Sequence, residues 1–266
     1  MTTSQTLSQT CRSVAVVARR LGDLLASAPD LSGLAHRSEW TVQEVGAHLV
    51  AVAGFFTELA NGTPSFLVSM EPDYVRSVAE RSMADIAESD PVKLSRLLVD
   101  SFEEFLDVAA ERSGDDPVTF HGGMPYHLAG AAGVALGEMI LHGYDMAAGL
   151  GAPWPIEPAD AALVVGAYSP VFALTVHPEK AKGLSAAVEI DLRGFGAVTV
   201  RFTDGIFGLE EAGGPVDATL SADPVAFLLV GSGRLTRYEA TALGLWRTGG
   251  DRPALALGFP DLFVFP

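Results

Sequence analysis

The chain is poor in basic residues and nearly devoid of cysteine. Against 33 Asp and Glu it carries only 17 Lys and Arg, a formal net charge of −16. Nucleic acids and anionic membrane surfaces are bound by clustered cations, so both partner classes are disfavoured. Solubility is the simpler account of the acidity. A single cysteine, Cys11, excludes an intrachain disulfide and gives no sign of an oxidising compartment. The opening residues, Met-Thr-Thr-Ser-Gln-Thr, lack the basic start and apolar run of a signal peptide. Long uninterrupted apolar runs are missing too. Residues 118–137 and 161–178 contain no Asp, Glu, Lys or Arg, but histidines, glycines and a proline punctuate the first and Pro170 the second. Neither reads as a membrane span. The expectation is a cytoplasmic protein without membrane insertion, and the 48% hydrophobic content is ample for a core.

What is present begins with helical periodicity. Leu7, Val14, Val17, Leu21, Leu24 and Leu25 mark a first helix over about 7–26. Cys11 lies in it and reads as a small hydrophobe, with no basic partner to make it a nucleophile. Thr41 followed by Glu44 fits a capping box at the start of a second helix, whose apolar face is Val42, Val45, Leu49 and Val52. A third helical segment covers 72–89, and Asp90-Pro91 opens a fourth that ends before 113–117. After a loop over 118–126 a fifth, rich in Ala and Gly, spans about 128–150.

This fifth helix carries the chemistry. Glu138 and His142 are four apart, so a helix stacks a carboxylate and an imidazole on one face among Leu136, Met139, Ile140 and Met146. An exposed Glu–His pair is the plain alternative. His48, two turns into the second helix and beside its apolar face, supplies the third donor of a candidate metal site. Three ligands from two bundle helices would leave an open coordination position, as catalytic zinc sites do. His121 and His127 are alternative ligands or proton donors, or ordinary loop polarity. Asp145, three residues after His142, can orient that imidazole as a hydrogen-bond acceptor. Tyr144 is a candidate proton donor. No Ser–His–Asp arrangement is suggested.

The pattern changes after 155. A helix from Pro158 is expected to break at Ser169-Pro170, and from Ala186 the period becomes two: strands over 186–192, 197–202, 206–209 and 218–222, with Gly194 and Asp204-Gly205 as hairpin turns. Asp223-Pro224 starts a short helix, and 238–246 reads as another. The apolar end, 262–266, should dock on the core. The fold class is α+β, divided into a bundle (1–155), a helical connection (156–184) and a smaller C-terminal domain (185–266).

Trp40-Thr41-Val42-x-x-Val45-x-x-His48-Leu49, followed by Glu138-x-x-x-His142-Gly143-Tyr144-Asp145, resembles the mycothiol-dependent maleylpyruvate isomerase family. Residues 217–227 with Gly233-Arg234 look like that family's C-terminal domain. The resemblance implies a DinB-like four-helix bundle followed by a sterol-carrier-like α/β domain. It implies a divalent metal, Zn²⁺ over Fe²⁺, on His48, Glu138 and His142, and a low-molecular-weight thiol, mycothiol, as cosubstrate. The expected partners are that thiol and a small electrophilic substrate, and the expected activity is isomerisation or S-transfer. Candidate cations for the substrate are Arg234, Arg237 and Arg247, with Arg247 preferred because it follows an apolar helix and precedes a Gly-Gly turn. Phe55, Phe56, Phe66 and Leu67 either line an apolar pocket or belong to the core. Two other readings stay open: a hydrolase using a metal-activated water, and a non-catalytic carrier of a small molecule or lipid with a structural or vestigial metal.

Overall fold

The structure, a computed structural model, describes residues 3–264, and side chains from Thr6 onward. The chain divides between Ile156 and Glu157 into two compact units. In the first, four long helices, α1 (Thr3–Ser27), α2 (Val42–Ala60), α4 (Pro91–Ala110) and α5 (Leu128–Gly149), close into a ring in which α1 and α2 each contact both α4 and α5. A shorter α3 (Pro72–Met83) packs on α2. No helix among the described residues is long and apolar enough to cross a membrane.

Local chemistry fixes where these helices begin. At α2 the capping box forms: Thr41 Oγ1 accepts from Glu44 N–H at 3.2 Å while the Glu44 carboxylate accepts from Thr41 N–H at 2.7 Å. Asp90 caps α4 through Lys93 N–H at 2.9 Å, with Pro91 at the first helical position. α5 is apolar around most of its circumference and correspondingly buried, from Leu128 through Ile140 except Glu138. Its glycines admit neighbours that no Cβ would allow. A Cβ on Gly130 would fall 2.2 Å from the Tyr126 ring, one on Gly143 2.2 Å from the Trp154 indole, and one on Gly149 2.6 Å from the carbonyl oxygen of Leu34. The small residues therefore admit aromatic rings and a loop backbone.

The segment read as a loop over 118–126 is more ordered than its sequence suggests. Pro117–Thr119 (β1) and Pro125–His127 (β2) pair antiparallel around a 3₁₀ turn at His121–Gly123. Their periodicity is invisible in the sequence because each strand is three residues long. The hairpin packs against α2 and α5, and among the described residues no strand is threaded through the helices.

In the second unit α6 (Pro158–Val171) packs on α8 (Pro224–Gly231), so the helical connection belongs with the sheet that follows. α6 runs through Ser169 and Pro170, contrary to the interruption expected there. Pro170 removes the N–H that would meet the Gly166 carbonyl. Both residues are solvent-exposed, so hydration can replace the lost bond. After α7 (Pro178–Ala181) come β3 (Ala186–Leu192), β4 (Gly196–Thr203), β5 (Ile206–Glu211) and β6 (Ala218–Ala222). The β4–β5 turn has φ of 50° at Asp204 and 84° at Gly205, as a two-residue primed hairpin turn requires. With β7 (Trp246–Gly249) the sheet order is β5-β4-β3-β6-β7, with β6 parallel to β3 and the other pairings antiparallel.

One expectation fails here. The helix read over 238–246 stops early: α9 is Arg237–Ala242, and Trp246–Gly249 is an edge strand, β7. Gly244, at φ 70°, breaks the helix, and Trp246 is buried in a stack with Phe227 at 5.7 Å. Arg247 therefore projects from an edge strand and is exposed, not carried at a helix end. α10 (Pro253–Leu257) follows, and Leu262 and Phe263 are buried, Phe263 bridging to Val176. Residues 265 and 266, part of the expected apolar docking segment, lie outside the described residues.

Candidate metal centre

α2 and α5 are direct neighbours in the ring, and that adjacency brings together groups about ninety positions apart. His48 projects from α2; Glu138 and His142 project from α5. Glu138 Oε2 lies 3.3 Å from His142 Nε2 and 3.7 Å from His48 Nε2. The imidazoles meet edge to face, centroids 4.9 Å apart. Among the described residues this is the group of His, Cys, Asp and Glu whose donor atoms converge, all within 4.8 Å of one another.

These separations are long for direct hydrogen bonds, which favour about 2.7–3.2 Å. They suit the edges of a tetrahedron around an ion with bonds of about 2.0–2.1 Å, whose donors stand about 3.3 Å apart. His48 Nδ1, the ring nitrogen other than the one facing Glu138, is buried without a hydrogen-bond partner. The donor set and the spacing both fit a divalent metal. The three side chains keep 13, 29 and 21% exposure for His48, Glu138 and His142, so the cluster is reachable from outside.

Electrostatics set the ligands' protonation. Burial lowers the His48 pKa, favouring the neutral ring that has a lone pair to donate. Burial alone would raise Glu138, but its interactions with His142 and His48 outweigh that and hold the carboxyl well below the usual carboxylate range. Asp145, 5% exposed, places Oδ2 3.8 Å from His142 Nδ1, on the side of the ring away from Glu138. Its backbone carbonyl accepts from His36 N–H at 2.9 Å, tying α5 to the loop before α2.

The α5 segment that carries the ligands has a further support that sequence reasoning missed. Trp154 lies against Gly143 and donates from Nε1 to the Ile140 carbonyl at 3.0 Å. The Arg20 guanidinium covers the same indole at 4.3 Å and donates to the Pro155 carbonyl at 2.8 Å. Arg20 is thus half-buried and engaged. Gly-Tyr directly after a histidine was the available signal, but nothing local named its partner.

The remaining candidates divide. His127 is the N-cap of α5, its Nδ1 accepting from Gly130 N–H at 2.9 Å, so that atom is committed to the helix start. His121 is buried in the 3₁₀ turn with its Nδ1 2.8 Å from Ser65 Oγ, and it is not one of the converging donors. Phe56 packs in the core against Phe105 and Phe120, whereas Phe55 is half-buried, Leu67 half-buried and Phe66 52% exposed. Tyr144 is half-buried on α5 beside the ligands in sequence. Cys11 is a free, half-buried thiol whose pKa burial raises, which makes it a poor nucleophile. In the second unit Arg237 is paired with Asp261 at 2.8 Å, Arg234 donates to the Ser232 carbonyl at 3.1 Å, and Arg247 is exposed.

The fold is that of a mycothiol-dependent maleylpyruvate isomerase: a crystal structure of such an enzyme superposes with a TM-score of 0.53 over 89% of this chain and 91% of that one, at 14% identity. A histidine-to-alanine variant of such an enzyme matches with the same figures. The likeness is one of fold. The stereoselective inverting sec-alkylsulfatase Pisa1 from Pseudomonas sp. is also matched, with a TM-score of 0.33, 16% identity, and 73% of this chain against 28% of that one. No protein-family model matches the sequence, and no curated protein does.

Proposed function

We propose that the protein is a metal-dependent enzyme that uses a low-molecular-weight thiol, mycothiol or a close equivalent, to isomerise a small electrophile or to transfer the thiol onto it. The carrying observation is the convergence of the His48 and His142 Nε2 atoms on the Glu138 carboxylate, at 3.7 and 3.3 Å. The isomerase fold supports the same chemistry. Zn²⁺ is the metal we favour, since two imidazoles and a carboxylate suit it and the chemistry needs no redox change. When bound, it would lower the pKa of a coordinated thiol enough to hold it as thiolate at neutral pH.

The chain's own residues have defined parts. His48 and His142 each present Nε2, and burial keeps the first of them neutral. Glu138 presents an ionised carboxylate. Asp145 stands behind His142 and biases its Nδ1 toward the protonated tautomer, which leaves Nε2 as donor. Trp154 and Arg20 brace the turn of α5 between Glu138 and His142. Tyr144 is the group of this unit that we assign to substrate contact. With Cys11 unsuited to nucleophilic attack, the sulfur must come from outside the chain.

The test is spectroscopic. Mycothiol added to the cobalt-substituted protein should produce a thiolate-to-metal charge-transfer band in the near ultraviolet. The band should persist in Cys11→Ala and vanish in His142→Ala. No spectral change at saturating thiol, together with thiol-free turnover of an ester or amide, would replace this reading with a hydrolase.

A further inference from the structure

Outside the ligand triad, one polar pair in the first unit is built with more care than loop solvation needs. Two loops, 63–69 and 119–124, are joined by backbone hydrogen bonds from Ser65 N–H to the Thr119 carbonyl and from Gly122 N–H to the Leu67 carbonyl, each at 2.8 Å. Gly122 and Gly123 take φ of 64° and 77° to make the turn. The result presses His121 between two aromatic rings, Phe55 at 5.4 Å and Phe120 at 3.9 Å between centroids. Among the described residues only Ser65 touches the imidazole with a polar group, Oγ to Nδ1 at 2.8 Å.

The hydrogen bonds around Ser65 favour one tautomer. Ser65 Oγ already accepts from Leu67 N–H at 3.1 Å. Its own proton has one acceptor in reach among the described residues, His121 Nδ1. If Ser65 donates to Nδ1, the ring proton sits on Nε2. His121 Nε2 bonds to no described residue, yet it is not among the atoms sealed from solvent without a partner. It therefore retains a small accessible surface. Burial lowers the ring's pKa to about 4, so the group stays uncharged at neutral pH.

The pair also belongs to the neighbourhood of the triad. Phe55, on which His121 stacks, follows His48 on α2 by seven residues, two helical turns (about 10 Å) along nearly the same face. Glu138 is the charged group whose field reaches His121. Phe66, 52% exposed, meets Phe55 edge to face at 5.2 Å and makes an apolar wall beside the imidazole.

We propose that His121 Nε2–H is a fixed, uncharged hydrogen-bond donor that recognises a carbonyl or carboxylate oxygen of an unsaturated electrophile bound at the triad, with Phe55 and Phe66 against its carbon skeleton. This rests on the thiol-and-metal reading above for the identity of the ligand class, though not for the tautomer. A neutral donor suits an electrophile that gains charge on oxygen as sulfur adds, because it stabilises that oxygen without surrendering a proton.

Two measurements on the zinc-loaded full chain test it. Long-range ¹H–¹⁵N NMR of histidine-labelled protein, assigned with His121→Phe, should show His121 as the Nε2–H tautomer, and Ser65→Ala should mix the tautomers. An Nδ1–H tautomer in the wild type overturns the inference. Calorimetric titration with maleate, a small unsaturated dicarboxylate, should give binding about ten- to a hundredfold weaker in His121→Phe, the loss of one hydrogen bond to a charged group. Unchanged zinc content and melting in that variant separate recognition from folding. Should Phe not fit the slot, His121→Asn and Ser65→Ala carry the same comparison. Equal binding by wild type and variants, or no binding of millimolar maleate to the wild type, overturns the inference. A missing cobalt–thiolate band would instead sink the thiol reading and leave the His121 result standing.

Discussion

Replacing Gly143 by Ala should destabilise the first unit, although the same change on a helix surface stabilises. An Ala in a helix interior gains about 1 kcal/mol over Gly. At Gly143 the new Cβ would meet three Trp154 ring atoms at 2.2, 2.6 and 2.9 Å, far inside contact distance. The ring is rigid and held at both ends, by its bond to the Ile140 carbonyl and by Arg20 over its face. It must swing out. That forfeits a hydrogen bond of about 1 kcal/mol, a cation–π contact of about 0.5–1 kcal/mol, and about 1–2 kcal/mol of packing for a half-buried indole. The net loss is about 1.5–3 kcal/mol, or a fall in Tm of several degrees. Gly54, on α2 with nothing within 4 Å of where a Cβ would stand, is the control: Gly54→Ala should stabilise by up to about 1 kcal/mol. Thermal unfolding followed by circular dichroism measures both. In a Trp154→Ala background Gly143→Ala should become neutral or stabilising, because the clash is gone. Equal stabilisation by Gly143→Ala and Gly54→Ala in the wild type would refute the packing argument. Metal affinity should fall in Gly143→Ala as well, since the displaced indole braces the turn between Glu138 and His142.

Other outcomes follow from the same geometry. His48→Ala should lose the divalent metal on elemental analysis; retention of full occupancy would remove His48 from the ligand set. Thr41→Ala should cost about 1 kcal/mol by uncapping α2, and weaken metal binding by loosening the helix that bears His48; an unchanged denaturation midpoint would contradict it. His121, with its folded pKa lowered to about 4 against an ordinary value near 6.5, binds its proton more readily when unfolded. Its contribution is fully present above pH 6.5 and is lost as pH falls toward 4, amounting to about 3 kcal/mol at most. Urea titrations of wild type and His121→Phe across that window should show the shallower pH slope in the variant, and parallel slopes would refute the assignment.

The sequence by itself determined the elements whose signals are local. Apolar residues every three or four positions, Thr41 with Glu44, and Asp90 with Pro91 place the bundle helices within a few residues, because capping and amphipathicity depend on near neighbours. Alternation from Ala186 and the Asp204-Gly205 turn mark the hairpins for the same reason. Glu138 and His142 are legible as a pair, since one helix fixes their relation; His48 joins them through spacing and family resemblance. What lacks a local signal is lost or misread. Strands three or four residues long carry too little period to recognise, so β1, β2 and β7 read as loop or helix. His127 reads in the sequence as an alternative ligand, a proton donor or ordinary loop polarity, and only the start of α5 shows its Nδ1 capping the helix. Only the tertiary structure decided that α2 and α5 are neighbours, that Trp154 fills the space Gly143 leaves, and that Ser65 reaches His121. Each of those relations joins groups through space that the chain holds far apart, and no pattern of near neighbours encodes such a distance.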